Sequence, residues 1–165
     1  TSTATVTVVG SDTGTVKTVI EVPPGAFLVA VSVAISTTPP ASAAPAATLA
    51  DNAARTRGDT KVKVDDDLSD TVRELTAKDA AGRIVQPVKG IKFTIPFNMK
   101  KVKSYMAKAL KICRLNEISG VWEVAEGDNT VDAVAGSVTT TITHFSLFRL
   151  AYAFSPASAL APRSA

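Results

Sequence analysis

The stretch LKICRLNEISGVWEVAEGDNTVDAVAGSVTTTITHFSLFRLAYAF, Leu110–Phe154, contains four strand-like runs separated by turn-forming segments. NEISG and GDNT supply the Asn, Asp, Ser and Gly residues that favour tight turns. Trp122 lies on the run after Gly120 and is predicted to anchor the core, because a large aromatic ring buries much apolar surface. Short strands joined by short turns pair antiparallel, so this stretch predicts an antiparallel β-structure.

The residues before Leu110 continue the same pattern. Further strand-like runs are TATVTVV (Thr3–Val9), TVKTVIEV (Thr15–Val22), AFLVAVSVAIS (Ala26–Ser36), DTVRELTAKDAAGRIV (Asp70–Val85) and VKGIKFTIPF (Val88–Phe97). In the last run, Ile91, Phe93 and Ile95 alternate with polar residues and are expected on one buried face. The sequence therefore predicts a mainly β fold, an antiparallel two-sheet β-sandwich.

One segment has a helical rather than a strand-like spacing. In NMKKVKSYMAKALK (Asn98–Lys111), apolar residues recur at intervals of three and four positions, with lysines between them. This segment is interpreted as one short helix or a basic loop. DDDLSD (Asp65–Asp70) is interpreted as a solvated turn or a helix start, because it lacks the Gly and Glu spacing of a calcium loop.

The domain organisation follows from where these patterns stop. Residues 1–153 are predicted to form one β-sandwich domain. Within it, residues 37–56 are rich in Pro and Ala, which break regular structure, and are predicted to form a long connection. Residues 154–165 are predicted to be a C-terminal tail or linker. Because the chain begins at Thr1 rather than Met, we expect it to be a piece of a longer protein.

Composition limits the function classes. Of 165 residues, 45% are hydrophobic and 20% charged. The net charge is +3, and acidic and basic residues are interspersed except in Lys100–Lys111, so we expect no nucleic-acid partner. Cys113 and His144 are the only residues of their types, which excludes an internal disulfide framework and a Cys-ligated or His-rich metal site; we expect no metal and no cofactor. No stretch approaches the roughly 18 apolar residues of a membrane helix, so direct membrane insertion is not expected.

The only histidine begins the triplet His144–Phe145–Ser146. One interpretation is structural: on a pleated strand, Phe145 faces the core while His144 and Ser146 lie on the other face. The other is chemical: the imidazole helps the Ser146 hydroxyl attack the peptide bond before it. The residues alone leave both interpretations open.

Two stretches resemble a known family of sandwich domains. GTVKTVIEVPPGAF (Gly14–Phe27) resembles the opening of the ZU-type domains of ankyrins and netrin receptors. CRLNEISGVWEV (Cys113–Val124) and GSVTTTITHFSLFRL (Gly136–Leu150) resemble the closing segment of autoproteolytic sandwiches, which include the GAIN domain of adhesion receptors and modules that cleave at His-Phe-Ser. The resemblance extends from Gly14 to about Leu150.

The resemblance implies a set of roles. In cleaving relatives the bond is held strained in a tight turn, so Ser146 would be the nucleophile, Phe145 would supply the carbonyl and His144 would be the general base. Uncleaved relatives keep a similar THFS segment, and only Cys113 matches the cysteines of the GAIN pattern.

We expect a noncatalytic β-sandwich module of a larger surface or extracellular structural protein, acting in adhesion or assembly. Its partners would be other protein domains or copies of itself, bound through sheet edges. The extracellular or cell-surface location is inferred from the resemblance and from the Ala/Pro/Thr/Ser-rich flanks. One alternative is a self-processing domain that cuts Phe145–Ser146 once and remains a noncovalent heterodimer. Another is an intracellular scaffold domain of the ankyrin-like branch.

Overall fold

The computed structural model describes residues 4–12, 14, 16–37, 62–102, 104–125 and 127–153. The strands in this part are β1 (Val6–Val9), β2 (Val19–Val22), β3 (Ser32–Ser36), β4 (Val62–Lys63), β5 (Arg73–Lys78), β6 (Ile91–Pro96), β7 (Leu110–Asn116), β8 (Val121–Val124), β9 (Thr130–Asp132), β10 (Ser137–Ile142) and β11 (Leu147–Ala153). The 3₁₀ helices are η1 (Asp66–Thr71), η2 (Met99–Lys101) and η3 (Ser104–Ala109). The protein is mainly β, as predicted.

The strands form two antiparallel sheets. Sheet A has the order β1-β2-β6-β10-β9, and sheet B has the order β3-β5-β11-β7-β8, with β4 pairing β11 as well. All the strand pairings are antiparallel. The chain passes from sheet A to sheet B between β10, which lies beside the edge strand β9, and β11, the middle strand of sheet B. The predicted two-sheet β-sandwich is confirmed.

The main core lies between the sheets. On β6, Ile91, Phe93 and Ile95 are fully buried and Lys92 is exposed, which confirms the predicted alternation. The Phe93 ring packs edge-on against Phe148 of β11, with ring centroids 5.0 Å apart. Burial of such side chains stabilises the fold by roughly 1.5–3 kcal/mol each.

A second apolar cluster covers the outer face of sheet B. Every residue of β11 is buried, because the segment from β4 to η1 packs on the face that points away from sheet A. Trp122 is buried as predicted, but it belongs to this second cluster rather than to the main core. The buried Arg149 donates from Nη2 to the carbonyl oxygen of Asp65 at 2.8 Å, which fastens the covering segment to the sheet.

Three predicted elements differ from the structure. The stretch predicted to hold four strands contains five, β7 to β11, because the short strand β9 pairs with β10. The third strand begins at Ser32 rather than Ala26, because the turn at Pro23–Gly25, with Gly25 at φ 75°, is followed by irregular backbone up to Val31. Instead of one helix, the segment Asn98–Lys111 holds the two short 3₁₀ helices η2 and η3. Its last residues belong to β7, whose pairing with β11 offers a full ladder of backbone hydrogen bonds. Asp65 caps η1 by accepting from the Asp67 N–H, as a helix start requires.

The predicted connection at residues 37–56 and the predicted tail at residues 154–165 lie outside the described residues, apart from Thr37. The boundaries of the domain therefore stay a prediction. The last described residue, Ala153, is also the last residue of β11.

Candidate functional site

The triplet His144–Phe145–Ser146 lies in the connection from β10 to β11, where the chain crosses between the sheets. We call residues 143–146 the corner. The interpretation of these residues as part of a pleated strand is wrong, because β10 ends at Ile142 and β11 begins at Leu147. The side-chain layout is nevertheless close to the one that alternation predicts: Phe145 is buried and His144 is half-buried, although Ser146 is buried as well.

Phe145 fixes the corner to the core. Its side chain is 3% exposed and packs edge-on against Phe27, with ring centroids 5.8 Å apart. The Gln86 side chain makes two hydrogen bonds to the backbone of Phe145. Nε2 donates to the Phe145 carbonyl oxygen at 3.1 Å, and Oε1 accepts from the Phe145 N–H at 2.7 Å. One side chain therefore satisfies both backbone polar groups of Phe145.

Ser146 has a polar partner for its hydroxyl. Oγ donates to Oε1 of Glu117 at 2.8 Å, an ordinary O–H···O hydrogen-bond distance. The Ser146 carbonyl oxygen accepts from the Leu75 N–H at 3.0 Å, which ties the corner to β5. The serine that the sequence proposes as a nucleophile is thus held by a carboxylate.

His144 approaches the same carboxylate. Its Nε2 lies 4.0 Å from Oε1 of Glu117, the oxygen that accepts the hydrogen bond from the Ser146 hydroxyl. The imidazole and the hydroxyl therefore meet at Glu117 rather than at each other. This differs from the arrangement that the family resemblance implies, in which the histidine itself takes the proton.

The corner turns without left-handed backbone at its own residues. Positive φ among the described residues occurs only at Gly25, Gly82, Gly120 and Gly136. None of these is in the corner, so the chain crosses between the sheets there with negative φ angles. Side-chain hydrogen bonds and the buried ring hold the turn in place.

A cleft of about 330 Å³ opens beside the Phe145–Ser146 peptide bond. Its walls come from β5, β7 and the segment after β5, and include Glu74, Leu75, Thr76, Ile84, Gln86, Leu115, Glu117 and Leu147. The cleft places the Phe145–Ser146 peptide bond next to a solvent-accessible space.

Sequence reasoning identified the triplet but missed Gln86 and Glu117. The signal for Glu117 is in the strand register: Phe148 pairs with Arg114, so continuing the ladder by two residues places Ser146 across from Asn116 and beside Glu117. This register could be used only once β7 and β11 were known to be neighbours. Gln86 lies in irregular backbone after β5, and no periodicity in the sequence indicates its position.

A separate apolar groove of about 300 Å³ lies between the β1 edge of sheet A and the β3 edge of sheet B. Val6 and Val8 of β1, Val33 of β3 and Phe27 line it, together with Val22, Pro23, Gly25, Ala26, Val29, Ala30 and Val31. We call this region the open side. Val6 lines the groove and is still 45% exposed, so the main core is incompletely covered here.

A polar cleft of about 520 Å³ contains the buried pair Asp12–Arg73. Arg73 Nη2 lies 2.7 Å from Oδ2 of Asp12, and Arg73 Nε donates to the Thr18 hydroxyl. Burial alone would raise the pKa of Asp12, but the Thr18 N–H, Arg73 and the Thr18 hydroxyl outweigh it and lower the pKa below its ordinary value. Asp12 and Arg73 neutralise each other, as in a structural ion pair.

Cys113 is fully buried, as expected for a small hydrophobic residue, and burial raises the pKa of its thiol to about 12. The thiol therefore stays protonated and unreactive near neutral pH. Within the described ranges, no three His, Cys, Asp or Glu residues lie close enough together to hold a metal ion.

Comparisons with protein-family models, with curated proteins and with solved structures find no match for this chain. In the part of the chain that the structure describes, no helix is long and apolar enough to cross a membrane.

Proposed function

We propose that this chain is a noncatalytic β-sandwich module of a larger surface or extracellular structural protein, which acts in adhesion or assembly through its sheet edges. The observation that carries the proposal is the open side, where two edge strands flank an apolar groove. Single exposed hydrophobic residues are common on protein surfaces, whereas a contiguous apolar groove points to an interaction site.

The edges of the open side lack the usual protection against strand pairing. Residues 1–10 and 26–37, which include β1 and β3, contain no charged side chain and no proline. Natural edge strands are commonly blocked by lysine, proline or an inward charge. Among the described strands, β1 pairs only with β2, and β3 pairs only with β5. We propose that an incoming strand pairs with the backbone of β1, or with that of β3 from Ser32 to Ile35.

The partner that fits this surface is an extended strand with alternating small apolar residues, and β1 of a second copy has that pattern. Its VTVV sequence would place valines toward the groove, while the absence of charge avoids repulsion between copies. In strand addition the main-chain hydrogen bonds supply affinity and the pockets for alternate side chains supply specificity. We therefore expect copies to join edge to edge.

Sedimentation velocity over a concentration series tests this proposal. The wild type is expected to self-associate, and Val6→Lys is expected to stay monomeric, because a charge then faces the groove. Val134→Lys is the matched control, since Val134 is 99% exposed in the turn before β10. A wild type that is monomeric at every concentration, or a Val6→Lys variant that associates like the wild type, would overturn the proposal.

A second candidate function is a single self-cleavage at Phe145–Ser146, with Ser146 as nucleophile and His144 as base in the roles that the resemblance implies. A specific observation favours it: the Ser146 hydroxyl already donates to a carboxylate, while the Phe145 carbonyl already accepts from Gln86. The fragment that begins at Ser146 would stay bound, because β11 pairs with β4, β5 and β7.

Intact mass under denaturing conditions tests this second candidate. A cleaving wild type gives two fragments, residues 1–145 and residues 146–165, while Ser146→Ala stays whole. If both proteins remain single chains after prolonged incubation, the corner has a structural role only.

A further inference from the structure

The polar side chains around the Phe145–Ser146 peptide bond are arranged on two sides of it. Glu117 Oε1 accepts from the Ser146 hydroxyl at 2.8 Å, and Gln86 Nε2 donates to the Phe145 carbonyl oxygen at 3.1 Å. His144 Nε2 is 4.0 Å from the Glu117 oxygen. The proton acceptor and the carbonyl donor therefore come from two segments remote in sequence from the triplet.

We propose that Glu117 is the general base and Gln86 the oxyanion-stabilising donor of the self-cleavage at Phe145–Ser146, with His144 a positioning residue for the Glu117 carboxylate. This inference rests on the second candidate function given above. It replaces the histidine base that the family resemblance implies with a residue that the triplet does not contain.

The reaction proceeds as an acyl shift from nitrogen to oxygen, followed by hydrolysis. Ser146 Oγ attacks the Phe145 carbonyl carbon while its proton moves to the Glu117 carboxylate, and the carbonyl oxygen becomes negative. The bond from that carbon to the Ser146 nitrogen then breaks, and the nitrogen takes the proton back from Glu117. Water attacks the resulting ester, which yields a Phe145 carboxylate and restores the Ser146 hydroxyl.

Geometry favours Glu117 over His144 as the first proton acceptor. A general base must lie within hydrogen-bond reach of the proton it removes, which Glu117 does at 2.8 Å. The imidazole Nε2 lies 4.0 Å from the same carboxylate oxygen, where the ring limits the positions that the Glu117 side chain can take. Ser146 is buried and Glu117 is exposed, and both line the adjoining cleft, through which water can reach the ester.

Gln86 is fixed in the orientation that the oxyanion requires. Its Oε1 accepts from the Phe145 N–H at 2.7 Å, so the amide group cannot rotate without losing that bond. Nε2 therefore already points at the carbonyl oxygen that gains charge. Preorganised donors of this kind stabilise a developing oxyanion because they need no reorientation during the reaction.

The test follows the time course of cleavage by intact mass in freshly prepared full-length chains. Glu117→Gln keeps an acceptor oxygen for the Ser146 hydroxyl but is not basic, and we expect it to slow cleavage by about 100-fold or more. Glu74→Gln is the matched control, because Glu74 lines the same cleft without bonding the Ser146 hydroxyl. Near-UV circular dichroism of both variants reports whether the fold is intact.

Gln86→Glu provides an independent measurement. It keeps the oxygen that accepts from the Phe145 N–H but removes the donor to the carbonyl, and we expect cleavage to slow by about 100-fold. His144→Gln should slow cleavage less than Glu117→Gln does, because His144 acts through the carboxylate. If His144→Gln abolishes cleavage while Glu117→Gln leaves it unchanged, the assignment of the base is overturned.

The outcomes separate this inference from the function on which it rests. A wild type that never splits overturns both the self-cleavage and the assigned roles. If the wild type and the two folded variants Glu117→Gln and Gln86→Glu all cleave at the same rate, the roles assigned to Glu117 and Gln86 are overturned but the self-cleavage stands. Slow cleavage in these two variants, with wild-type rates in Glu74→Gln, supports the assignment.

Discussion

The corner and the open side differ in how completely their side chains are buried and their polar groups are hydrogen-bonded. At the corner, a ring buried to 3% exposure and several side-chain hydrogen bonds satisfy the groups that the turn exposes. On the open side, Val6 and Val29 line a groove and remain 45% and 48% exposed, beside edge strands without charge. This difference in burial is the basis of our proposal that the open side, and not the corner, binds a partner.

Phe145→Ala should have the largest effect on stability. Truncating a fully buried phenylalanine leaves a cavity and costs about 3–5 kcal/mol of unfolding free energy. Val6→Ala on the open side should cost less than about 1 kcal/mol, because half of that side chain is already in water. Urea denaturation of both variants checks the contrast; similar losses at the two positions would contradict it.

Breaking the Asp12–Arg73 pair should have the next largest effect. Asp12→Asn leaves the Arg73 guanidinium buried without its counter-charge, which we expect to cost about 3 kcal/mol near neutral pH. The loop between β1 and β2 would lose its ion pair with β5 but keep the hydrogen bond from Arg73 Nε to the Thr18 hydroxyl. Urea denaturation of the variant beside the wild type measures the loss.

The pH dependence of this effect follows from the lowered pKa of Asp12. Because the folded-state pKa lies below 3.8, the ionised carboxylate contributes stability above the unfolded-state value. That contribution is lost as the pH falls through the folded-state pKa. The stability difference between wild type and Asp12→Asn should therefore shrink below about pH 4. Urea denaturation along a pH series measures this, and a difference that grows toward acid would contradict the account.

Ser146→Ala should have a smaller effect. It removes the hydrogen bond to Glu117, whose carboxylate returns to water, and a hydrogen bond of this kind contributes about 1 kcal/mol. The variant should fold normally, as its use as a noncleaving control requires. A loss of about 3 kcal/mol or more would show that the hydroxyl is central to the corner.

Val6→Thr should have the smallest effect on folding. The two side chains have similar shapes and the position is exposed, so the free energy of unfolding should change by less than about 0.5 kcal/mol. Association should nevertheless weaken, because the hydroxyl makes the groove wall less apolar. Thermal unfolding at low protein concentration, compared with sedimentation at high concentration, separates the two effects.

The fold was predictable where period-two alternation is strong. Ile91, Phe93 and Ile95 on β6 are buried as the alternation predicts. The start of β3 was not predictable, because Ala26–Val31 is apolar throughout and apolar composition alone does not distinguish a strand from irregular backbone. The segment Asn98–Lys111 has helical spacing, yet its end joins a strand because pairing with β11 is a tertiary effect.

The candidate site was predictable only in part. The rarity of histidine drew attention to His144–Ser146, but Gln86 and Glu117 reach the corner from positions 59 and 29 residues away in sequence. Contacts of this kind depend on which strands become neighbours, and local patterns do not carry that information. The open side has the same origin, since the sheet order decides which strands are edges.

Amide hydrogen exchange at low and high protein concentration tests the central claim, that the open side is the assembly surface, most directly. The account predicts that the amides of β1 and β3 exchange more slowly at high concentration, while those of β8 and β9, the edges that carry Glu123 and Asp132, do not change. Slower exchange at β8 and β9 alone, or exchange that does not depend on concentration at any edge, would contradict it.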